Sequence, residues 1–411
     1  MADLGLIKSL LIPHVDTKIV FLIIDGVGGL PMEVGGPTEL EAARTPNLDR
    51  LATEGLCGLH DPVAPGITPG SGPSHLAVFG YDPLKYLIGR GVLEAVGIDF
   101  PLTEWDLACR GNFCTVDEKG LVVDRRAGRI PSEKNQELCE LLRREVSLRG
   151  VDMFVETVKD YRFLLVLRGD GLAQGLTETD PQALGVEPLP VQPVLCPGTG
   201  ASRPEAERSA RLLNDFVAQA RQVLAHQHRA NMVLLRGPSK VPAIRRMQDV
   251  FGLNPAAIAS YPMYRGLAKL VGMTPLEAGA TISEEFDTLE QEWENYDFFY
   301  LHVKKTDSYG EDGDFEAKVH LIEETDQQVE RLISLQPEVV VVTGDHSTPA
   351  LLRSHSWHPV PVLIWSKHCR ADPARGFNEG ECIRGALGRL PATDLMPIAL
   401  ANAMRLTKYG A

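Results

Sequence analysis

At 411 residues the chain is too long for one small core, so two domains are expected. Apolar residues make up 44% and charged residues 23%, the balance of a soluble globular protein. A net charge of −14 and a pI near 5.3 argue against nucleic acid or a membrane surface as the main partner, so an anionic ligand would need a local cluster of Arg or Lys. The seven cysteines (Cys57, Cys109, Cys114, Cys139, Cys196, Cys369 and Cys382) are scattered without a Cys-x-x-Cys pair. That excludes a zinc ribbon or thioredoxin-like motif and leaves reduced thiols as the expectation. The N-terminus has no basic segment ahead of a long apolar one, and nowhere do about 18 apolar residues run together. A cytoplasmic protein is expected on these grounds.

In chain order, strands are predicted at 19–24, 163–167, 233–235, 298–303, 339–342 and 360–365. Between them, 46–54 reads as a short helix. The segment 205–226 carries Leu212, Leu213, Phe216, Val217, Ala220, Val223 and Leu224 at helical spacing. The segment 315–335 does the same with Phe315, Val319, Ile322, Val329, Leu332 and Ile333. Strands alternating with helices predict an α/β fold with a parallel sheet. The six prolines of 181–204 read as an extended surface loop. Arginines crowd at Arg125, Arg126, Arg129, Arg143 and Arg144, and the span 105–229 is read as a domain inserted into a metal-binding core of 1–104 and 230–411.

The buried run Val339–Val342 leads into Thr343-Gly344-Asp345-His346-Ser347-Thr348-Pro349. In open α/β sheets, chemistry collects past the carboxyl ends of such strands. A hard oxygen beside an imidazole is a mixed set that divalent metals favour. The run 19–24 ends likewise in Asp25 and a glycine-rich turn, although Asp25 alone is as readily a cap or turn former. The run 298–303 leads into Lys304-Lys305-Thr306-Asp307-Ser308-Tyr309-Gly310-Glu311, and His355 precedes 360–365. Four strands meeting carboxylate or imidazole groups point to two neighbouring divalent ions, about 4 Å apart, able to clamp a phosphoryl group.

Thr68-Pro69-Gly70-Ser71-Gly72-Pro73-Ser74-His75 is a glycine-rich turn entering a helix, with Pro73 suited to its first turn. Ser71 would sit where helix N–H groups favour an anion. Metal coordination would activate its hydroxyl; otherwise Ser71 merely caps the helix. Ser74 is a competing nucleophile on local sequence.

These segments together resemble the archaeal-type cofactor-independent phosphoglycerate mutases of the alkaline phosphatase superfamily. The resemblance runs through I-I-D-G-V-G at 23–28, R-T-P-N-L-D-R-L-A at 44–52, D-P-V-A-P-G at 61–66, P-G-S-G-P-S-H-L-A at 69–77, G-R-G at 89–91 and D-R-R-A-G-R at 124–129. It continues through V-L-R-G at 166–169, L-H-V-K-K-T-D at 301–307 and V-V-T-G-D-H-S-T-P at 341–349. It implies an alkaline-phosphatase-like, mostly parallel sheet sandwiched by helices, with a smaller inserted α/β domain. The implied nucleophile is Ser71. One metal would be held by Asp25, Ser71, Asp345 and His346, the other by Asp307, Glu311 and His355. Glu311 departs from the broader family, which carries His there, and adds hard oxygen. Mn²⁺ or Mg²⁺ is therefore expected over Zn²⁺ or Co²⁺. Gly72 stands where many archaeal relatives carry an acidic residue.

The resemblance further implies interconversion of 3-phosphoglycerate and 2-phosphoglycerate through a phosphoserine, without 2,3-bisphosphoglycerate. The inserted domain would act as a lid excluding water. Arg125, Arg126, Arg129, Arg162, Arg168, Arg236 and Lys240 are the candidate ligands for substrate carboxylate and phosphate, although each is individually an ordinary surface charge. A phosphomonoesterase, or another phosphotransferase of the superfamily, would use the same metals and Ser71. A regulatory or scaffold protein with a decayed site is the reading from another class. A nucleotide-dependent kinase is disfavoured, because no G-x-x-x-x-G-K-[ST] loop occurs.

Overall fold

The computed structural model describes residues 3–194 and 202–410, and divides into two compact units, Met1–Leu87 with Ile244–Ala411, and Ile88–Ala243. Its strands in chain order are β1 (Ile19–Ile24), β2 (Leu56–Asp61), β3 (Asp106–Val116), β4 (Val122–Asp124), β5 (Asp152–Lys159), β6 (Arg162–Arg168) and β7 (Met232–Ser239). There follow β8 (Pro255–Ala259), β9 (Thr274–Leu276), β10 (Phe298–Val303), β11 (Val339–Thr343), β12 (Val360–Trp365) and β13 (Gly388–Pro391).

The first unit holds an eight-stranded sheet in the order β13-β2-β12-β11-β1-β10-β8-β9. Every neighbouring pair is parallel except those of β12, which runs against β11 and β2. β1 shows why its sequence lacks alternation. Val20, Leu22 and Ile24 pack into a core with Phe286, Ile322 and Val329 on one face. On the other, Phe21 meets Phe298 with ring centroids 5.1 Å apart. Both faces are covered by helices, so every position of the strand is apolar.

Register sets the working edge. Ile24 lies beside Val303 of β10, and Ile23 beside Thr343 of β11, so the residues after all three strands emerge at one level. The sequence places His355 ahead of its strand. It reaches the same edge because β12 is antiparallel, with Val362 opposite Thr343. The edge is thus made from three strand ends and one strand beginning, not four strand ends.

The predicted helix at 315–335 is Phe315–Ser334, capped by Asp314, whose carboxylate accepts from the Ala317 N–H at 3.0 Å. The one at 205–226 is Arg203–Leu224, opened by a capping box between Ser202 and Glu205. It lies in the second unit, whose sheet runs β4-β3-β6-β5 with β7 on the other side of β3, all antiparallel. β3 was not expected, because Arg110-Gly111-Asn112 interrupts its apolar pattern midway. The pairing of β3 with β7 belongs to one compact unit that begins at Ile88 and ends at Ala243, where the sequence reading drew 105–229.

The six cysteines among the described residues are free thiols, and Cys196 lies outside those residues, as does part of the proline-rich segment. Among the described residues no helix is long and apolar enough to cross a membrane.

His60 of β2 shows how the core constrains charge. Its Nε2 lies 2.9 Å from Thr343 Oγ1 and 3.1 Å from the Gly344 carbonyl, while Nδ1 is buried without a partner. Protonation would bury an N–H⁺ with no acceptor, and burial lowers the imidazole pKa from 6.5 to about 4. The folded value lies below the unfolded one, so this contribution is complete above pH 6.5 and is lost as pH falls towards 4. Between pH 7.5 and pH 5, chelated wild-type protein should lose about 2 kcal/mol more stability than His60→Leu. Urea unfolding at the two pH values measures the difference, and equal losses would exclude His60 as the source.

Candidate active site

Asp25 is fully buried where β1 ends. Its Oδ2 accepts from the Tyr264 hydroxyl at 2.7 Å and lies 3.1 Å from Lys304 Nζ and 3.3 Å from His302 Nε2. Its Oδ1 has no hydrogen-bond partner and lies 3.5 Å from His346 Nε2. Asp345, also buried, has Oδ2 3.2 Å from His346 Nε2 and 3.1 Å from His75 Nδ1. Burial opposes its charge, but His346 and His75 outweigh burial and hold the carboxyl well below its ordinary range. Burial keeps His346 below the usual imidazole value, against the pull of Asp345 and Asp25.

Ser71 opens the helix Ser71–Val78, and its Oγ stands 3.5 Å from His346 Nε2. Ser74 is buried, and its hydroxyl is engaged by the Gly70 carbonyl (2.9 Å), the Ser71 carbonyl (3.0 Å) and Asp345 Oδ2 (3.2 Å). Of the two serines, Ser71 is the partly exposed one.

A second group lies beside the first. Asp307 Oδ1 accepts from Thr348 Oγ1 at 2.7 Å and stands 3.5 Å from His355 Nε2, while Oδ2 is ion-paired with Lys304. His355 Nδ1 donates to the Pro69 carbonyl at 3.0 Å, which leaves Nε2 as the free nitrogen. The His346 and His355 rings stack with centroids 3.6 Å apart. Glu311 stands at the rim, 3.9 Å from His355 Nε2 and 56% exposed, its pKa raised by partial burial and by Asp307.

Donor atoms of Asp25, Asp345 and His346 fall within 4.8 Å of one another, and so do those of Asp307, His346 and His355. Carboxylate oxygens with imidazole nitrogens, one buried oxygen unpartnered, are a donor set that fits divalent cations. Lys304 bridges Asp25 and Asp307, and the two carboxylates raise its ammonium above the ordinary range against the effect of burial.

A family model for the 2,3-bisphosphoglycerate-independent phosphoglycerate mutases matches residues 52–231. The chain is 52% identical to a probable 2,3-bisphosphoglycerate-independent phosphoglycerate mutase of Thermus thermophilus, over 96% of each chain. The chain belongs to this family. A Thermosipho melanesiensis relative named in the same words is 49% identical over the full length of both chains. Among solved structures, a Pyrococcus horikoshii protein superposes with a TM-score of 0.80 at 28% identity, covering 97% of this chain and all of that one. The cofactor-independent phosphoglycerate mutase of Thermoplasma acidophilum gives 0.72, also at 28% identity, covering 94% and 100%.

In this member of the mutase family, the remaining sequence candidates lie in the second unit. Arg125 forks onto Asp180 at 2.9 and 2.7 Å, and Arg236 lies 3.5 Å from the same carboxylate and 3.3 Å from Glu178. Arg168 forks onto buried Asp106 at 2.7 and 2.9 Å, and Lys240 Nζ donates to the Leu172 carbonyl at 3.2 Å. Arg126 and Arg129 are exposed, and Arg162 lies 5.6 Å over the Tyr161 ring. The planar forks of Arg125 and Arg168 are thus occupied by acidic partners within their own unit.

Arg90 lies in the G-R-G segment at 89–91 without a role assigned to it, and Arg110 went unnoticed in the sequence. Arg110 Nε is buried without a hydrogen bond, 3.4 Å from Glu94, and burial, with Arg162 and Arg90, lowers its pKa against the pull of Glu94. Tyr264, His302 and His75 were also missed. His75, in the glycine-rich turn, and His302 and Lys304, in the segment leading to Asp307, carried a local signal. Tyr264 comes from the remote helix Pro262–Leu270.

The loops bearing the donors are pinned from below by Lys318, which is fully buried. Its ammonium donates to the carbonyls of Gly28 (3.1 Å) and Thr348 (2.9 Å) and lies 3.6 Å from Glu39 Oε1. Glu39 in turn accepts from the N–H groups of Leu30 and Ala350. Removing one partner of a buried pair strands the other charge. Lys318→Met should therefore lower unfolding stability by about 3–5 kcal/mol in urea titrations, and adding Glu39→Gln should recover part of it. A loss no larger in the single variant than in the double would refute the network.

Proposed function

We propose that the protein interconverts 3-phosphoglycerate and 2-phosphoglycerate without 2,3-bisphosphoglycerate, through a phosphoserine at Ser71. The observation that carries this reading is Ser71 Oγ at a helix N-terminus, 3.5 Å from His346 and beside the Asp25–Asp345–His346 donor group, in a member of the mutase family. Asp25, Ser71, Asp345 and His346 would hold one divalent cation, and Asp307, Glu311 and His355 another. Mn²⁺ or Mg²⁺ suits this oxygen-rich set, and a cytoplasmic role in glycolysis and gluconeogenesis accords with the reaction. Bound cations would lower the pKa of the Ser71 hydroxyl and neutralise charge on the phosphoryl oxygens.

The residues act in two half-reactions. Ser71 Oγ loses its proton and bonds to phosphorus as the bond to the substrate oxygen breaks, and that oxygen takes up a proton. Glycerate stays bound and turns, and its other hydroxyl loses its proton and bonds to phosphorus as the bond to Ser71 Oγ breaks, which regains a proton. The N–H groups of the first turn of Ser71–Val78 favour the anion throughout. Lys304, between Asp25 and Asp307, keeps the buried carboxylates from repelling one another. The second unit is assigned the part of substrate-binding lid on its chemistry. Arg90, Arg110 and Arg162 lie close enough to feel one another's charge and together supply guanidinium density. Arg126, Arg129, Arg125, Arg168, Arg236 and Lys240 add to it. Water must be kept out between the half-reactions, or the phosphoserine is hydrolysed.

An enolase-coupled assay with Mn²⁺ tests the reading. Chelation should abolish 2-phosphoglycerate formation and Mn²⁺ should restore it, while Ser71→Ala should lower kcat at least about 1,000-fold. Release of free phosphate in place of 2-phosphoglycerate would make the protein a phosphomonoesterase. Glu311→His should shift activity from Mn²⁺ or Mg²⁺ towards Co²⁺ or Zn²⁺, and an unchanged ratio of activities across these metals would remove Glu311 from the site.

A further inference from the structure

We infer that Thr348 is a positioning residue that couples the two donor groups, its single hydroxyl fixing both the proton of His346 and the orientation of Asp307. The inference rests on the two-cation reading above and assigns a role that the donor residues alone do not contain.

Thr348 Oγ1 lies 2.7 Å from Asp307 Oδ1 and 2.9 Å from His346 Nδ1. Asp307 is ion-paired through Oδ2 with Lys304, so the carboxylate oxygen facing Thr348 only accepts. The threonine proton therefore goes to Asp307. A hydroxyl has one proton, so the contact with His346 requires Nδ1–H as donor. The relay runs His346 Nδ1–H to Thr348 Oγ1–H to Asp307 Oδ1. It leaves the lone pair of neutral His346 on Nε2, facing Asp345 Oδ2 at 3.2 Å, Asp25 Oδ1 at 3.5 Å and Ser71 Oγ at 3.5 Å.

The hydroxyl is held in place by everything around it. The Thr348 N–H donates to the carbonyls of Gly26 (3.2 Å) and Gly28 (3.1 Å), and its own carbonyl accepts from Lys318. Gly26, at φ +65°, would place a Cβ 2.6 Å from Thr348 Oγ1, and Gly310 would place one 2.2 Å from the Thr348 carbonyl oxygen. Two glycines, Gly26 in the turn after β1 and Gly310 in the helix Lys305–Asp312, thus make the space that this threonine fills. Three strand ends meet at it: β1 through Gly26 and Gly28, β10 through Asp307, and β11 through His346.

The proton assignment also divides the donors. His346 offers its free nitrogen to the first group alone, although its ring lies within reach of both. The second group keeps Asp307 and His355, and Glu311 becomes its third donor. Without the Thr348 hydroxyl, the His346 proton can move to Nε2 and point at the position a cation would take, while Asp307 loses a donor to Oδ1.

Mn²⁺ titration calorimetry on the full chain, with wild type, Thr348→Val and Thr348→Ser, tests the inference. Two Mn²⁺ are expected in wild type, with affinity at both sites falling about 10- to 100-fold in Thr348→Val and returning to near wild type in Thr348→Ser. Nitrogen-15 NMR of the chelated proteins supplies a readout free of cation. His346 should be the Nδ1–H form in wild type and Thr348→Ser, and a mixture in Thr348→Val. Unchanged Mn²⁺ binding in Thr348→Val, loss at one site only, or an unchanged His346 spectrum overturns the coupling while leaving the two-cation reading in place. Fewer than two Mn²⁺ in wild type overturns that reading, and the coupling with it.

Discussion

Concentrated negative charge at one edge of a sheet is the constraint from which the rest of this structure follows. Asp25, Asp307 and Asp345 are almost wholly buried, and uncompensated carboxylates in such surroundings would protonate or force the loops apart. Each has a specific answer. Tyr264, Lys304 and His302 surround one oxygen of Asp25, Lys304 and Thr348 hold Asp307, and His75 and Ser74 hold Asp345. What remains open is narrow: Oδ1 of Asp25 and the outward nitrogens of two stacked imidazoles. Compensation thus leaves these atoms, and among them His346 Nε2 at 3.5 Å from Ser71 Oγ, open to a ligand.

The scaffold beneath is correspondingly rigid and charged in its own right. Lys318 ties the loop after β1 to the loop after β11 through backbone carbonyls, and Glu39 ties the same two loops through their N–H groups. A lysine and a glutamate buried without exposure are poor sources of net stability. Their placement makes sense as geometry, because the two loops adjoin Asp25 and His346, whose side chains are thereby held 3.5 Å apart. Thr348 performs the corresponding task one layer above, where a side chain rather than the backbone links the groups.

Much of this was legible from composition and local pattern. The apolar runs of β1, β10, β11 and β12, each adjoining an acidic or imidazole residue, located the edge. The glycine-rich turn located Ser71. Legibility failed where meaning depends on partners distant in the chain. β3 hides behind Arg110-Gly111-Asn112, polar residues that a strand tolerates only because its neighbours are β6 and β7. Arg125 and Arg168 look like free cations in the sequence, yet Asp180 and Asp106 occupy their forks. Tyr264 lies 239 residues from the aspartate it touches, and nothing near it announces the contact.

The sequence by itself determined the fold class, the family and a set of candidate acidic, imidazole and serine side chains beside the strands, because hydrophobic period, glycine placement and donor chemistry are local properties. Tertiary structure alone decided which of those residues face one another. Parallel register brought three strand ends level, and the reversed direction of β12 returned His355 to them. Hydrogen-bond partners then chose the free nitrogen on His346 and His355, since a side chain's proton is placed by what surrounds it in space.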